Sequence, residues 1–109
     1  MKVCDIAEKL SLKPLSLADS SREVTGAYIG DLLSWVMGRA KSGDAWITIM
    51  SNINIVAVAS LADVACIILA EGVVPDENVC ATALQKGINI FTSDKTAYVL
   101  ATELAQCLQ

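Results

Sequence analysis

Three segments of the chain concentrate side chains that could hold or transform a ligand. Thr48-Ile49-Met50-Ser51-Asn52-Ile53-Asn54 and Thr92-Ser93-Asp94-Lys95-Thr96 are rich in hydroxyls, amides and carboxylate, and each leads into a predicted helix. Backbone N–H groups and the positive dipole end at such a place suit an anion such as a phosphate. The same residue types cap helices with no ligand present, so both readings stand. The third segment runs from Arg22 through Thr25, Gly26 and Asp31 to Ser34. Arg22 and Arg39 are the only arginines. Arg22 could grip an acidic ligand bidentately, lie on the surface, or pair with Asp19, Asp31 or Asp44. Asp31 and Asp63 are candidates for a carboxylate pair, although their spacing does not bring them together. The ligand-binding candidates are therefore Arg22, Thr25, Gly26, Asp31, Ser34, Thr48, Ser51, Asn52, Asn54, Thr92, Ser93 and Asp94.

Several chemistries are excluded. There is no histidine, which removes Ser-His and Cys-His nucleophile pairs and imidazole metal sites. No GxxxxGK[ST], GxGxxG or GxSxG motif occurs. Cys4, Cys66, Cys80 and Cys107 match no CxxC, zinc or iron–sulfur spacing and are read as reduced thiols in the core. No catalytic residue, metal or cofactor is expected. The net charge of −4, with eight scattered lysines and arginines, argues against a nucleic-acid partner, which needs a basic face. Ile53 to Val74 is the most apolar stretch, but Asp63 at its centre argues against a membrane span. Met1-Lys-Val-Cys-Asp lacks the apolar run of a signal peptide, so a cytoplasmic protein is expected.

The elements that must position these residues are legible from periodicity. At 109 residues and 54 % apolar composition the chain has room for one domain, residues 1–109, with a sizeable core. Residues 3–10 predict a short helix ended by Ser11-Leu-Lys-Pro14. Leu15 to Leu17 and Arg22 to Ile29 read as strands, the second interrupted by Gly26. Gly30 to Gly38 is ambiguous, with Asp31 as a candidate cap and Gly38 as a closing residue. Thereafter the pattern alternates. Strand Ala45–Ile49 is followed by a helix capped by Asn54 and running to Ala62, and strand 64–70 by a helix from Asp76 to Lys86. Strand Ile88–Phe91 is followed by a helix to about Leu108. Strand and helix alternating at this spacing imply βαβ units and a parallel sheet. The expected fold is a three-layer α/β domain with a mainly parallel sheet of about five strands. Ligands would then gather at the carboxyl ends of the strands, at Thr48–Asn54, Glu71-Gly72 and Thr92–Thr96. Trp35 and Trp46, with Met37 and Met50, are either core residues or an apolar contact surface.

Five segments resemble the DRTGG domain in order and spacing: Val3–Leu10, Arg22-Glu-Val-Thr-Gly-Ala-Tyr-Ile-Gly-Asp-Leu-Leu-Ser34, Gly43–Ile49, Asn54–Ser60 and Gly87–Ser93. The resemblance covers nearly the whole chain. It implies a fold similar to the N-terminal domain of bacterial HPr kinase/phosphorylase and, more distantly, to N-terminal domains of Mur ligases. Related domains stand alone or are joined to CBS domains and phosphotransacetylases. Two positions depart from the family pattern, Ser21 for the aspartate and Ala27 for the second glycine, and a pocket shaped by those residues would be altered here. The kinase activity is not implied, because in HPr kinase the phosphate loop lies in another domain.

Together these readings point to a non-catalytic regulatory or protein-interaction module, most simply a homodimer or the companion of another protein. The alternative is a sensor holding a phosphorylated or nucleotide-like molecule at the carboxyl edge, with Arg22 as counter-charge. A serine-kinase-related enzyme subunit ranks below both.

Overall fold

A computed structural model describes residues 1–109. The chain forms α1 (Val3–Lys9), β1 (Lys13–Ser16), β2 (Gly26–Ile29), α2 (Leu33–Arg39), β3 (Asp44–Thr48), α3 (Asn54–Ala62), β4 (Cys66–Leu69), α4 (Val79–Gln85), β5 (Ile90–Thr92) and α5 (Ala97–Cys107). The strands make one sheet in the order β1-β5-β4-β3-β2. β2 to β5 are mutually parallel, and β1 joins β5 antiparallel. The expected three-layer α/β architecture with a mostly parallel five-stranded sheet is what forms.

The alternation of side chains across each strand splits the core in two. Ala45, Ile47, Cys66, Ile68 and Phe91 face α1 and α5, against Val3, Ile6, Leu100 and Leu104. Trp46, Ile67, Leu69 and Ile90 face α2, α3 and α4, against Val36, Ile55, Val56, Ala59, Val79 and Ala83. β3 and β4 are buried on both faces, which is why they read as unbroken apolar runs.

Chain order and spatial order agree from β2 to β5. The three connecting helices α2, α3 and α4 therefore lie in the same layer, and no crevice opens between neighbouring strands in the middle of the carboxyl edge. The connections change face only at β5, with α4 before it on one side and α5 after it on the other.

Several local expectations are corrected. The strand predicted from Arg22 begins at Gly26. Residues 22–25 instead run alongside α1 and the loop before β3, held by Val3 N to Arg22 O at 2.9 Å and Thr25 N to Gly43 O at 3.0 Å. β1 starts at Lys13 and includes Pro14, which an outer strand tolerates. Asp31 does not cap α2, and Gly38 lies within that helix. Asn54 opens α3 as its first residue, and its N–H is accepted by the side chain of Asn52 at 2.9 Å. Asp76 stands three residues before α4 and accepts from Ser51. α5 is capped by Thr96, whose hydroxyl accepts the Val99 N–H at 3.2 Å. Cys4 is exposed, so not all four thiols belong to the core; Cys66 is buried and the other two are partly so.

Candidate functional site

The twelve candidate residues fall into separate groups, because the segment from Arg22 to Ser34 crosses the sheet from its amino edge to its carboxyl edge. At the amino edge Arg22 meets Asp63, not the carboxylates nearer in sequence. Its Nη1 donates to Asp63 Oδ1 at 3.2 Å and its Nη2 to the Asp63 carbonyl at 2.9 Å. Ser42 donates to the other oxygen of the same carboxylate, and Gly43 N–H donates to the Asp63 carbonyl at 3.0 Å. Asp63 ends α3 in the left-handed conformation, φ 58°. The Ser42 hydroxyl and then the Arg22 guanidinium hold its carboxyl below the usual aspartate value of 3.8.

Next to this knot, Thr25 and Gly26 are shaped to β3. An added Cβ on Gly26 would come within 2.7 Å of Asp44 Oδ1. That carboxylate is nearly buried and takes the Lys41 N–H at 2.8 Å on its other oxygen. Thr25 lies against Gly43, which has φ +87° and no room for a side chain. A cleft of about 390 Å³ opens here, with Thr25, Gly26, Tyr28, Arg39, Lys41 and Asp44 in its walls.

Asp31 stands at the far end of β2. Its Oδ1 accepts from Thr48 Oγ1 at 2.8 Å and Ile49 N at 3.0 Å, closing the carboxyl end of β2 onto β3. Asp31 and Asp63 thus occupy opposite edges of the sheet and form no pair, and Arg22 is on the wrong edge to serve as counter-charge for a ligand at Ser51–Asn54. Ser51 is engaged with Asp76, and Ser34 and Asn54 are exposed. This part of the carboxyl edge carries Asp31 and Asp76 with no facing lysine or arginine in its hydrogen bonds, a poor setting for a phosphate.

The remaining three candidates come together. Thr92, Ser93 and Asp94 line a cleft of about 240 Å³ with Ser11, Lys13 and Lys95. It lies at the carboxyl end of β5, where the connections change face, the place where α/β sheets take ligands. Lys95 is held by Glu103 at 2.8 Å and by the Leu10 carbonyl at 3.0 Å, whereas Lys13 is free. Sequence reasoning missed Asn89, which is buried at the amino end of β5. Its Oδ1 accepts from Asp19 N, and its Nδ2 donates to Asp19 O and Ala65 O, at 2.8, 2.8 and 3.0 Å. Beside it a smaller cleft of about 130 Å³ is lined by Asp19, Arg22, Asp63 and Lys86. No signal short of the strand order could have linked Asn89 to Asp19. No three His, Cys, Asp or Glu converge as a metal site, and no helix is long and apolar enough to cross a membrane.

Fold and side-chain use together define a three-layer α/β domain in which most conspicuous polar residues tie strands and loops to one another. The DRTGG domain model matches residues 5–107, and the chain belongs to that family. No curated protein matches the sequence. Among solved structures the fold is similar to the CBS and DRTGG domains of the regulatory region of Clostridium perfringens pyrophosphatase, complexed with its activator diadenosine tetraphosphate. The TM-score is 0.73 at 14 % identity, over 96 % of this chain and 46 % of that one. The chain thus spans about half the length of that neighbour.

Proposed function

We propose that this chain is a non-catalytic regulatory module, acting on a protein partner or on a second copy of itself in a reducing, cytoplasmic setting. One observation carries the reading. Arg22, Thr25, Gly26 and Asp31 each contact the α3 end, the loop before β3 or the end of β3, so the segment that marks the family builds an edge of the sheet instead of a reaction centre. The hydroxyls that reach a possible base reach only carboxylates: Ser21 at Asp19, Thr48 at Asp31, Ser51 at Asp76 and Ser42 at Asp63. Ser42 donates to a carboxylate of lowered pKa already bound to Arg22, a weak proton acceptor. Burial pushes the Cys66 thiol up to about 12, far from a thiolate at neutral pH. The neighbour, the regulatory region of a pyrophosphatase, supports the same reading. The test is phosphate transfer and ATP hydrolysis by the purified chain, with none expected; turnover that follows the protein through purification would overturn it.

A second reading, a small-molecule sensor, is favoured by the cleft at the end of β5 and by the nucleotide activator bound by the neighbour. In it Lys13, Thr92 and Ser93 contact a phosphorylated ligand. Thermal-shift titration against adenine nucleotides, diadenosine tetraphosphate and inorganic phosphate tests it. A ligand at a hundred times its Kd stabilises by about 2.7 kcal/mol, several degrees for a domain of this size. A saturable shift abolished by Lys13→Glu supports the sensor, and a flat panel removes it.

A further inference from the structure

The two edges of the sheet are finished differently. β1 carries the usual safeguards against edge-to-edge pairing: Lys13, Pro14 and a break in register between Pro14 and Ser16. β2, Gly-Ala-Tyr-Ile, has no lysine, proline, charge or bulge. Gly30 N–H donates to Ile47 O at 3.2 Å, so the alternation of the ladder turns the peptide groups of Ala27 and Ile29 to the open side. One face of β2 is bare as well, because the α1–α5 layer leaves Ala27 and Ile29 exposed. On the other face Leu32, Trp35 and Arg39 form an i, i+3, i+7 stripe along α2. Arg39 stacks 3.8 Å over the Trp35 ring and also walls the cleft beside β2. Leu32 and Trp35 are 57 % and 51 % exposed there.

We propose that β2 is the pairing edge of a symmetric dimer whose other half is a second copy of this chain, the strands running antiparallel about a two-fold axis at Tyr28. The inference deepens the regulatory-module reading and rests on it. Ala27 of each copy meets Ile29 of the other, and each such pair exchanges two N–H···O=C bonds across a continuous sheet. The same register sets Asp31 opposite Thr25 of the second copy. Asp31 uses one carboxylate oxygen for Thr48 and Ile49, and Thr25 stands at the mouth of the cleft that carries Arg39 and Lys41. The Asp31 carboxylate thus meets a cleft in which Arg39 and Lys41 outnumber the single carboxylate of Asp44, and symmetry makes the match twice. A self-complementary contact needs both halves on one surface, and residues 25–41 supply them. This charge match singles out a second copy over an unrelated strand. Main-chain pairing flanked by Ile29, Leu32 and Trp35 is a small interface, so a weak dimer that dissociates on dilution is expected.

The experiment is sedimentation equilibrium of the full chain from 1 µM to 1 mM on wild type, Ile29→Lys, Arg39→Glu and, as a control on a distant exposed position of α5, Tyr98→Lys. Circular dichroism checks that each is folded. A dimer weakened at least tenfold by Ile29→Lys and by Arg39→Glu, but not by Tyr98→Lys, is the expected result. If Ile29→Lys does not fold, Arg39→Glu alone decides. A dimer insensitive to the edge variants would overturn this surface and leave the regulatory reading intact. A wild-type chain monomeric at 1 mM would overturn the dimer itself, whereas the regulatory reading fails only if the chain proves to turn over a substrate.

Discussion

Replacing Gly26 by alanine tests whether the family segment is shaped by its own neighbours. Gly26 does not have a positive φ, so its backbone is one that alanine adopts. The obstacle is Asp44, whose Oδ1 would lie 2.7 Å from the new methyl. The carboxylate is nearly buried, and its other oxygen holds the Lys41 N–H at 2.8 Å, so it cannot swing away without giving up that bond. Overfilling such a site costs about 1–3 kcal/mol. The alanine also stiffens the unfolded chain, which returns about 0.4–1 kcal/mol. The net expectation is a loss of about 1.3 kcal/mol, a fall in Tm of roughly 5–10 °C at ~4–8 °C per kcal/mol. Urea unfolding followed by circular dichroism gives the number. Repeating Gly26→Ala in an Asp44→Ala background separates the cause, because there the clash is gone and the substitution should be neutral or stabilising by up to ~1 kcal/mol. A Gly26→Ala protein as stable as wild type, or an equal loss in both backgrounds, would refute the reasoning.

Other expectations rest on contacts already described. Asn89→Ala removes three hydrogen bonds, of which only the one to the Ala65 carbonyl lies in buried surroundings while Asp19 is exposed; a loss of about 1–3 kcal/mol in urea unfolding is expected. Asp63 has a folded pKa below its ordinary 3.8, so the stability it confers is complete above that value and lost as pH falls through the lower folded one. The Tm difference between wild type and Asp63→Asn should therefore hold at pH 7 and close under strongly acidic conditions, in a thermal scan at stepped pH; asparagine is chosen because it tolerates the left-handed backbone there. With burial holding the Cys66 thiol at about 12, a thiol reagent should label exposed Cys4 in the native protein and reach Cys66 only on unfolding, as read by mass spectrometry of the labelled peptides.

What could be read from the sequence and what could not divide along one physical line. The alternating second half was legible because β3 and β4 are buried on both faces and leave unbroken apolar runs, while α5 keeps Leu100 and Leu104 inward at helical spacing. Those are local signals. The partners of single polar residues are set by strand order, which no local pattern carries. Arg22 and Asp63 are 41 residues apart and Asn89 and Asp19 are 70 apart, and each pair meets only because the sheet is wound as it is. For the same reason one supposed ligand site became a cleft at β5 and a set of ties along β2. Asp31 looked like a cap because it precedes a helix, yet Thr48 and Ile49 reach it first across the sheet. Trp35 and Trp46 are alike in sequence but part company, one on the outer side of α2 and one in the centre of β3.

The antiparallel pairing of β1 with β5 has a consequence for how the molecule is made. β2 to β5 assemble with neighbours that leave the ribosome one after another. The α1–β1 segment has no such neighbour: Lys13 and Pro14 pair with Thr92 and Phe91, and Val3, Ile6 and Leu10 are covered by Leu100 and Leu104. Roughly 80 residues separate the two ends of that contact, about 4–16 s of translation at 5–20 residues per second. For that interval α1 waits with its apolar side uncovered, and α1 and β1 are the last elements of this domain to find their place.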